Sequence, residues 1–269
     1  MSLVFFLCAC SYFNPKTDSA VVKLITLDVG QGDAILIISP DGSTILIDGG
    51  PDNSLLSELG NYLPWWQRQI DYVMVTHPDS DHYLGLNGVA EKYRIKEFWY
   101  YLAGSQPAYE NLLSLLSTQS TVIRQVSAGD QLTFPSGLNL KLIWPEEKKY
   151  DDSNSSSLVI LLSWGETDVL LTGDAPIEVE QQLVKANQLS EVEILKVGHH
   201  GSRGSTSDIF LTQTSPELCL ISVGANNRYN HPHPEVLKKL ASSGCRVVST
   251  VASGSISVNF TTSSWQLIP

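Results

Sequence analysis

From Val21 an apolar, β-branched run extends to Val29 and stops at Gly30-Gln31-Gly32-Asp33. Two shorter runs follow, Ala34–Ser39 and Thr44–Ile47, divided by Pro40-Asp41-Gly42 and closed by Asp48-Gly49-Gly50. Apolar runs of this length bounded by Gly, Pro and Asp predict three strands joined by turns. Ser54–Leu63 reads as a helix closed by Pro64. Asp71–Thr76 reads as a buried strand that runs straight into His77-Pro78-Asp79. Further on, Leu158–Trp164 and Asp168–Thr172 predict a hairpin ending at Gly173-Asp174, and Ala175–Asn187 a helix with Glu178 and Glu180 early in it. Glu193–Val197 is a strand ending at Gly198-His199-His200, and Leu218–Val223 a strand ending at Gly224. A helix over Pro234–Ser242 and strands over Arg246–Val251 and Ser255–Phe260 close the chain.

The pattern in each half is runs of strands with a few helices rather than strict βαβ alternation. No repeat or linker divides it, and the polar cluster Asp151–Ser157 is flanked so closely by apolar strands that it reads as a loop. One domain over residues 21–269, two packed sheets with outer helices, is the expected architecture. Apolar residues make up 42% of the 269, enough to bury a core. Charged residues are 17% of the chain and the net charge is −11. Such a balance excludes a basic duplex-binding module, which carries a positive stripe to replace phosphate counterions.

No apolar run reaches the ~18 residues of a membrane-spanning helix. Residues 1–20 nevertheless contain the apolar stretch Leu3–Cys10, ending in Leu-Cys-Ala-Cys before a polar turn. That segment resembles the tail of a lipoprotein signal or a membrane-proximal fragment, which would make the protein exported or membrane-associated, and the alternative is an ordinary apolar N-terminus packed on the surface of a cytoplasmic protein. Cys219 and Cys245 lie in β-like runs and read as free buried thiols.

Ligand-type side chains cluster just past the carboxyl ends of the expected strands: Asp48, His77 through His82, Asp174, His199 with His200, and His231 with His233. All six histidines of the chain are used up in this way. Pro78 bars a helix through the start of His77-Pro78-Asp79-Ser80-Asp81-His82, so the segment is expected to be a loop that curls round an ion. Imidazole mixed with carboxylate suits zinc, manganese or iron, whereas magnesium or calcium would take oxygen alone. Individually, Asp81 and Asp174 could be helix caps and Asp48-Gly49-Gly50 a plain turn. Capping needs no histidine, and it is the joint placement that points to a metal.

The segment 77–82 resembles the His-x-His-x-Asp-His signature of the metallo-β-lactamase superfamily, with Asp79 in place of the middle histidine. Four further motifs narrow the resemblance to the hydrolase domain of ComEC-type competence proteins. They are Leu27–Asp33, Leu171–Asp174, Lys196–Ser202, and Ile221–Gly224 through His231-Pro232. The resemblance implies an α+β fold, a four-layer αββα sandwich, with two divalent ions, zinc or manganese, at one edge. By motif, His77 and Asp79 would bind the first ion, Asp81 and His82 the second, and Asp174 both. His231 would be the last ligand of the second ion. His199 or His200 would complete the site or act on the leaving group, and Asp81 would also orient the attacking water. Asn154 stands where many relatives place another histidine. Asp48 and Asp33 would hydrogen-bond to the ligands, and Arg203 and Arg228 would meet an anionic substrate. The implied function is a metal-dependent hydrolase, a phosphodiesterase or nuclease acting on a phosphodiester such as DNA. The competing readings are a hydrolase of a small phosphocholine-type ester and a binding module with a vestigial metal site.

Overall fold

The computed structural model describes residues 20–268, so the run Leu3–Cys10 lies outside the described residues. Strands β1 (Val22–Thr26), β2 (Ile35–Ile38) and β3 (Thr44–Ile47) form an antiparallel meander. Helix α1 (Ser54–Tyr62) then carries the chain back, so that β4 (Gln69–Val75) lies parallel to β3. Helices α2 (Ser80–Lys92) and α3 (Pro107–Thr118) do the same for β5 (Arg94–Tyr100) and β6 (Val122–Gln125). The second half repeats this plan. A meander of β7 (Gln131–Thr133), β8 (Asn139–Trp144), β9 (Val159–Trp164) and β10 (Thr167–Leu171) comes first. Three parallel strands follow: β11 (Ile194–Lys196), β12 (Leu218–Ile221) and β13 (Arg246–Ser249). They are connected through α4 (Ile177–Lys185), α5 (Asp208–Thr214) and α6 (Pro234–Ser242). The short helix α7 (Thr250–Ser253) returns the chain to the first sheet, which β14 (Ile256–Phe260) and β15 (Trp265–Ile268) complete.

The two sheets, of eight and seven strands, pack face to face because their central strands alternate between two buried surfaces. Leu24, Ile45, Ile47 and Met74 meet Leu140, Ile160, Val169 and Leu171 between the sheets. The neighbouring residues Ile25, Leu46 and Val73 point outward beneath α1, α2 and α3, against Leu55, Leu86 and Leu112. On the far side Leu170, Leu195 and Ile221 are covered by Val179, Phe210 and Leu240 of α4, α5 and α6. The result is the expected αββα sandwich. Burial on both faces explains why the strands read as unbroken apolar runs rather than alternating ones.

Several local expectations are corrected. Each half contains a genuine βαβ series, hidden in the first because Gly85 and Gly88 break the apolar pattern of the continuous helix α2, which carries the His-Asp motif on its first turn. Residues 77–82 are therefore only half loop. Pro78 and the extended Asp79 block a helix up to that point, but Asp81 and His82 sit on the first turn of α2. The helix after Asp174 starts only at Ile177, so Asp174 caps nothing. The strand expected over Arg246–Val251 stops at Ser249 and turns into α7. Cys219 and Cys245 are not free: they form a disulfide with Cα atoms 6.0 Å apart. The crossover through α6 sets Cys245 beside β12, where parallel pairing of β12 with β13 brings the two residues together across 26 positions of sequence.

Candidate metal centre

Asp48 follows β3, His77 follows β4, Asp174 follows β10, His199 and His200 follow β11, and residues 224–233 follow β12. All five loops meet at one edge of the sandwich, where a rigid sheet fixes them in place. Gly32 allows the tightest approach: a Cβ there would strike the Asp81 carbonyl, so the first glycine-rich loop can lie against the start of α2.

Asp48, in the left-handed region at φ 60°, organises the first side of the cleft. Its Oδ1 accepts from Thr76 N at 2.7 Å, and its Oδ2 accepts from Thr76 Oγ1 at 2.7 Å. The same Oδ2 lies 2.8 Å from His82 Nδ1. A carboxylate can only accept, so the His82 proton sits on Nδ1 and, in the neutral ring, Nε2 keeps its lone pair. His77 Nδ1 is held by Thr76 Oγ1 at 3.0 Å and Ser157 Oγ at 3.3 Å. Its Nε2 lies 3.7 Å from Asp79 Oδ2 and 4.0 Å from Asp174 Oδ2. Ser153 Oγ donates to the other oxygen of Asp79 at 2.7 Å.

On the second side, His200 Nδ1 lies 3.0 Å from the Ser222 carbonyl and 3.2 Å from Asp33 Oδ1. Its Nε2 reaches Asp81 Oδ2 at 3.5 Å and Asp174 Oδ2 at 3.8 Å. Asp174 Oδ1 lies 3.4 Å from His82 Nε2, and its Oδ2 lies 3.5 Å from His199 Nε2. Four sets of ligand atoms thus converge within 4.8 Å; two are His77, His82 and Asp174, and next to them Asp81, His82 and His200, and the other two run back through Asp33, with Asp174 and His200 and with Asp48 and His82.

The fit to a cation is tested by hydrogen-bond accounting. Buried polar atoms normally have partners. The Nε2 atoms of His77, His82 and His200 and the Oδ1 of Asp174 are buried with none. Ligands about 2.1 Å from a zinc-sized ion in tetrahedral array stand about 3.4 Å apart, and the imidazole–carboxylate pairs here lie 3.4 to 4.0 Å apart. The field agrees. Burial opposes charge on His200, yet the Asp174 and Asp33 carboxylates lift its imidazole to about 9. His82 is likewise raised well above 6.5, against burial, by Asp174 and Asp48. Asp174 is buried too, but His200, His82 and His77 hold its carboxyl well below the usual range. This edge draws positive charge, and its ligand atoms have nothing else to bind.

Asp33 stands behind His200, and its Oδ2 accepts from Lys196 Nζ at 2.8 Å in an ion pair whose side chains are 2% and 1% exposed. Lys196 was not expected at the site. Its signals were its place at the head of the motif Lys196–Ser202 and a charge inside the otherwise apolar run Ile194–Val197. His231 stands a layer out and belongs to none of these ligand sets. Its ring stacks on Tyr229 at 5.5 Å and lies 5.6 Å from His199 and 6.4 Å from His200. Burial, then His199, His200 and His233, push it down to about 4. Asn227 braces this loop, accepting from His231 N at 2.9 Å and donating to its carbonyl at 2.7 Å. Asn154 opens a one-turn helix beside the cleft, and its Oδ1 is buried without a partner. Arg203 does not reach the cleft: it pairs with Glu235 at 3.3 Å on the surface. Arg228 is exposed, with its guanidinium 4.8 Å from the Tyr229 ring centre. Tyr229, also unforeseen, walls a cavity of 710 Å³ between itself, Asp79, Asp81, Tyr83 and Gln106.

Comparison with known proteins agrees with this architecture. Residues 27–224 match the metallo-β-lactamase superfamily. ComE operon protein 3 of Bacillus subtilis is 31% identical over 87% of this chain and 32% of its own length. Recombination protein 2 of Haemophilus influenzae is 35% identical over 87% of this chain and 28% of its own. The chain therefore spans about a third of the length of these relatives. Among solved structures, the metallo-β-lactamase fold protein YhfI of Bacillus subtilis superposes with a TM-score of 0.61 at 13% identity, over 90% of this chain and all of its own. With its αββα sandwich, its cleft of imidazoles and carboxylates and the family match over most of its length, the chain belongs to the metallo-β-lactamase superfamily as a ComEC-like, metal-dependent hydrolase.

Proposed function

We propose that the chain is a phosphodiesterase acting on nucleic acid, single strands or free ends above all, with two zinc or manganese ions. The observation that carries this reading is the trio of buried, unpartnered Nε2 atoms around Asp174. His77, Asp79 and Asp174 would hold one ion, with Asn154 at its margin. Asp81, His82, His200 and Asp174 would hold the other, so that His200 takes the place the sequence motif gave to His231. Two such ions supply hydroxide at neutral pH and take up charge developing on a phosphoryl oxygen.

The protein's own part is orientation. Asp48 and Asp33 fix the rings of His82 and His200, and partners of this kind keep ligands aimed and basic. His199, with 30% of its side chain exposed, and His231 remain at the rim, where a ring N–H can hydrogen-bond the departing oxygen. The acidic surface disfavours duplex, and with Arg203 engaged by Glu235, Arg228 is the one basic group left in the motif loops. Similarity to a recombination protein supports nucleic acid over a small ester. The Cys219–Cys245 disulfide supports a place outside the reducing cytosol.

The test loads the purified chain with zinc or manganese and offers bis(p-nitrophenyl) phosphate, single- and double-stranded DNA, a phosphocholine ester and nitrocefin. The reading expects cleavage of the first two, with a shallow salt dependence near the ~0.7 log-unit slope of one single-strand phosphate contact. Turnover of the small ester or nitrocefin alone would overturn it.

A further inference from the structure

Six tryptophans occur in the chain, and four of them are accommodated by the fold. Trp99, Trp144 and Trp164 are buried, and they and the partly buried Trp265 each donate their indole N–H to a protein oxygen. Trp65 and Trp66 differ on both counts. They are 79% and 65% exposed, stand edge to face at 5.7 Å, and neither indole N–H has a partner among the described residues. Leaving two such large apolar groups in water is unfavourable, and adjacent ones mark a contact surface rather than chance exposure.

Their position narrows what they contact. They lie in the loop between α1 and β4, just before Gln69, while the metal centre follows Val75 at the other end of β4. Seven residues of strand separate the two by about 23 Å. Pro64, Trp65, Trp66 and Arg68 of this loop are all exposed. Arg68, Lys92 and Arg94 surround it, all exposed and none in an ion pair among the described residues. Of the nearby carboxylates, Asp71 is occupied by Thr44 and Gln69, which leaves Glu91. The start of β1 at Val22 lies at the same end of the sheet, three strands or about 14 Å away. There the chain joins residues 1–19, which contain the apolar run Leu3–Cys10.

We infer that the Trp65–Trp66 loop docks on a lipid bilayer, with both indoles at headgroup level and Arg68, Lys92 and Arg94 against anionic headgroups. Tryptophan suits that layer because its ring is apolar while its N–H still finds a polar partner, and basic residues near a negative leaflet add attraction. Docked in this way, the protein would hold its metal centre facing away from the membrane, open to the aqueous phase. The inference stands on the loop alone and does not depend on the substrate.

Full-length chain is mixed with phosphatidylcholine vesicles, with and without phosphatidylglycerol, and tryptophan fluorescence is followed with brominated acyl chains. Bromine quenching of the wild type is expected, stronger on anionic vesicles. In W65S/W66S the quenching should disappear and the partition coefficient fall roughly a hundredfold, about tenfold for each large apolar group withdrawn. Both residues are exposed, so this variant should melt as the wild type does. Absence of vesicle binding, binding without quenching, or unchanged affinity in W65S/W66S would each overturn the inference; the last would assign the contact to residues 1–19.

Discussion

The two sides of the cleft hold their imidazoles by different means. On the first side a single carboxylate, Asp48, ties together the end of β4 and the first turn of α2 by bonding Thr76 and His82. The backbone there is regular except at Asp48 itself. On the second side the rings are held by an unusual backbone. His199 and His200 are consecutive left-handed residues at φ 49° and 54°, and Thr206 and Asn230 are left-handed too. Such residues cost about 1–3 kcal/mol each, so the surrounding contacts must over-determine them. The buried Lys196–Asp33 pair, the Ser222 carbonyl and Glu180, which accepts from Thr206 N and Ser207 N, are those contacts. Hydrogen-bonded ligands on a helix can be read locally, whereas a strained turn depends on residues far away in sequence.

Asp174 touches both sides, so its loss should be the most severe. Asp174→Ala should reduce phosphodiester turnover and metal retention together, by more than the roughly 10- to 100-fold typical of losing a supporting residue. Metal analysis and kinetics on the same sample check this. Retained turnover would return Asp174 to a structural role.

Lys196→Met separates the sides by stability. It removes the lysine from a buried carboxylate that keeps only His200, at 3.2 Å, beside it, and breaking a buried pair in this way costs up to about 3–5 kcal/mol. Lys196→Met combined with Asp33→Asn should recover a good part of that. Urea unfolding of the two variants decides it, and equal destabilisation would mean that the ion pair is not what fixes the second side.

Asp48→Ala addresses the first side, and should weaken metal affinity by about 10- to 100-fold with only the modest destabilisation of unpaired Thr76 and His82 donors. His231→Ala, outside both ligand sets, should leave affinity nearly unchanged and lower turnover. Isothermal titration with zinc separates the two outcomes.

The smallest effect expected is that of pH on Glu180. Burial raises its pKa above 4.5, partly offset by the bonds from Ser207 and Thr206. A carboxyl raised on folding adds stability that is full below 4.5 and is lost as pH rises through the folded value. Glu180→Gln should therefore abolish a shallow loss of stability above pH 4.5, seen as convergence of the slopes of the two proteins' melting temperatures at higher pH. Parallel slopes throughout would contradict this.

The same contrast explains what could be read in advance. His77, Asp79, Asp81 and His82 fall within six residues, so their chemistry showed directly, and strand ends led to Asp48 and Asp174. Lys196 opens one of the motifs, but its role escaped because its partner Asp33 lies 163 positions away. The proposed preference for His200 over His231 as a ligand rests on the turn at 198–201, where two consecutive left-handed residues set which imidazole lies near Asp174. The disulfide was missed for a related reason: parallel pairing across a helix cannot be inferred from two isolated cysteines. Trp65 and Trp66 were passed over because a loop gives no periodicity to violate.

The central claim is that both sides close on a pair of ions through Asp174. Metal content of the purified full-length chain, measured by plasma mass spectrometry after reconstitution with zinc or manganese and removal of excess, tests it most directly. Two ions per chain in the wild type, fewer than one in Asp174→Ala, is the predicted result. One ion or none in the wild type, or two ions retained in Asp174→Ala, would contradict it.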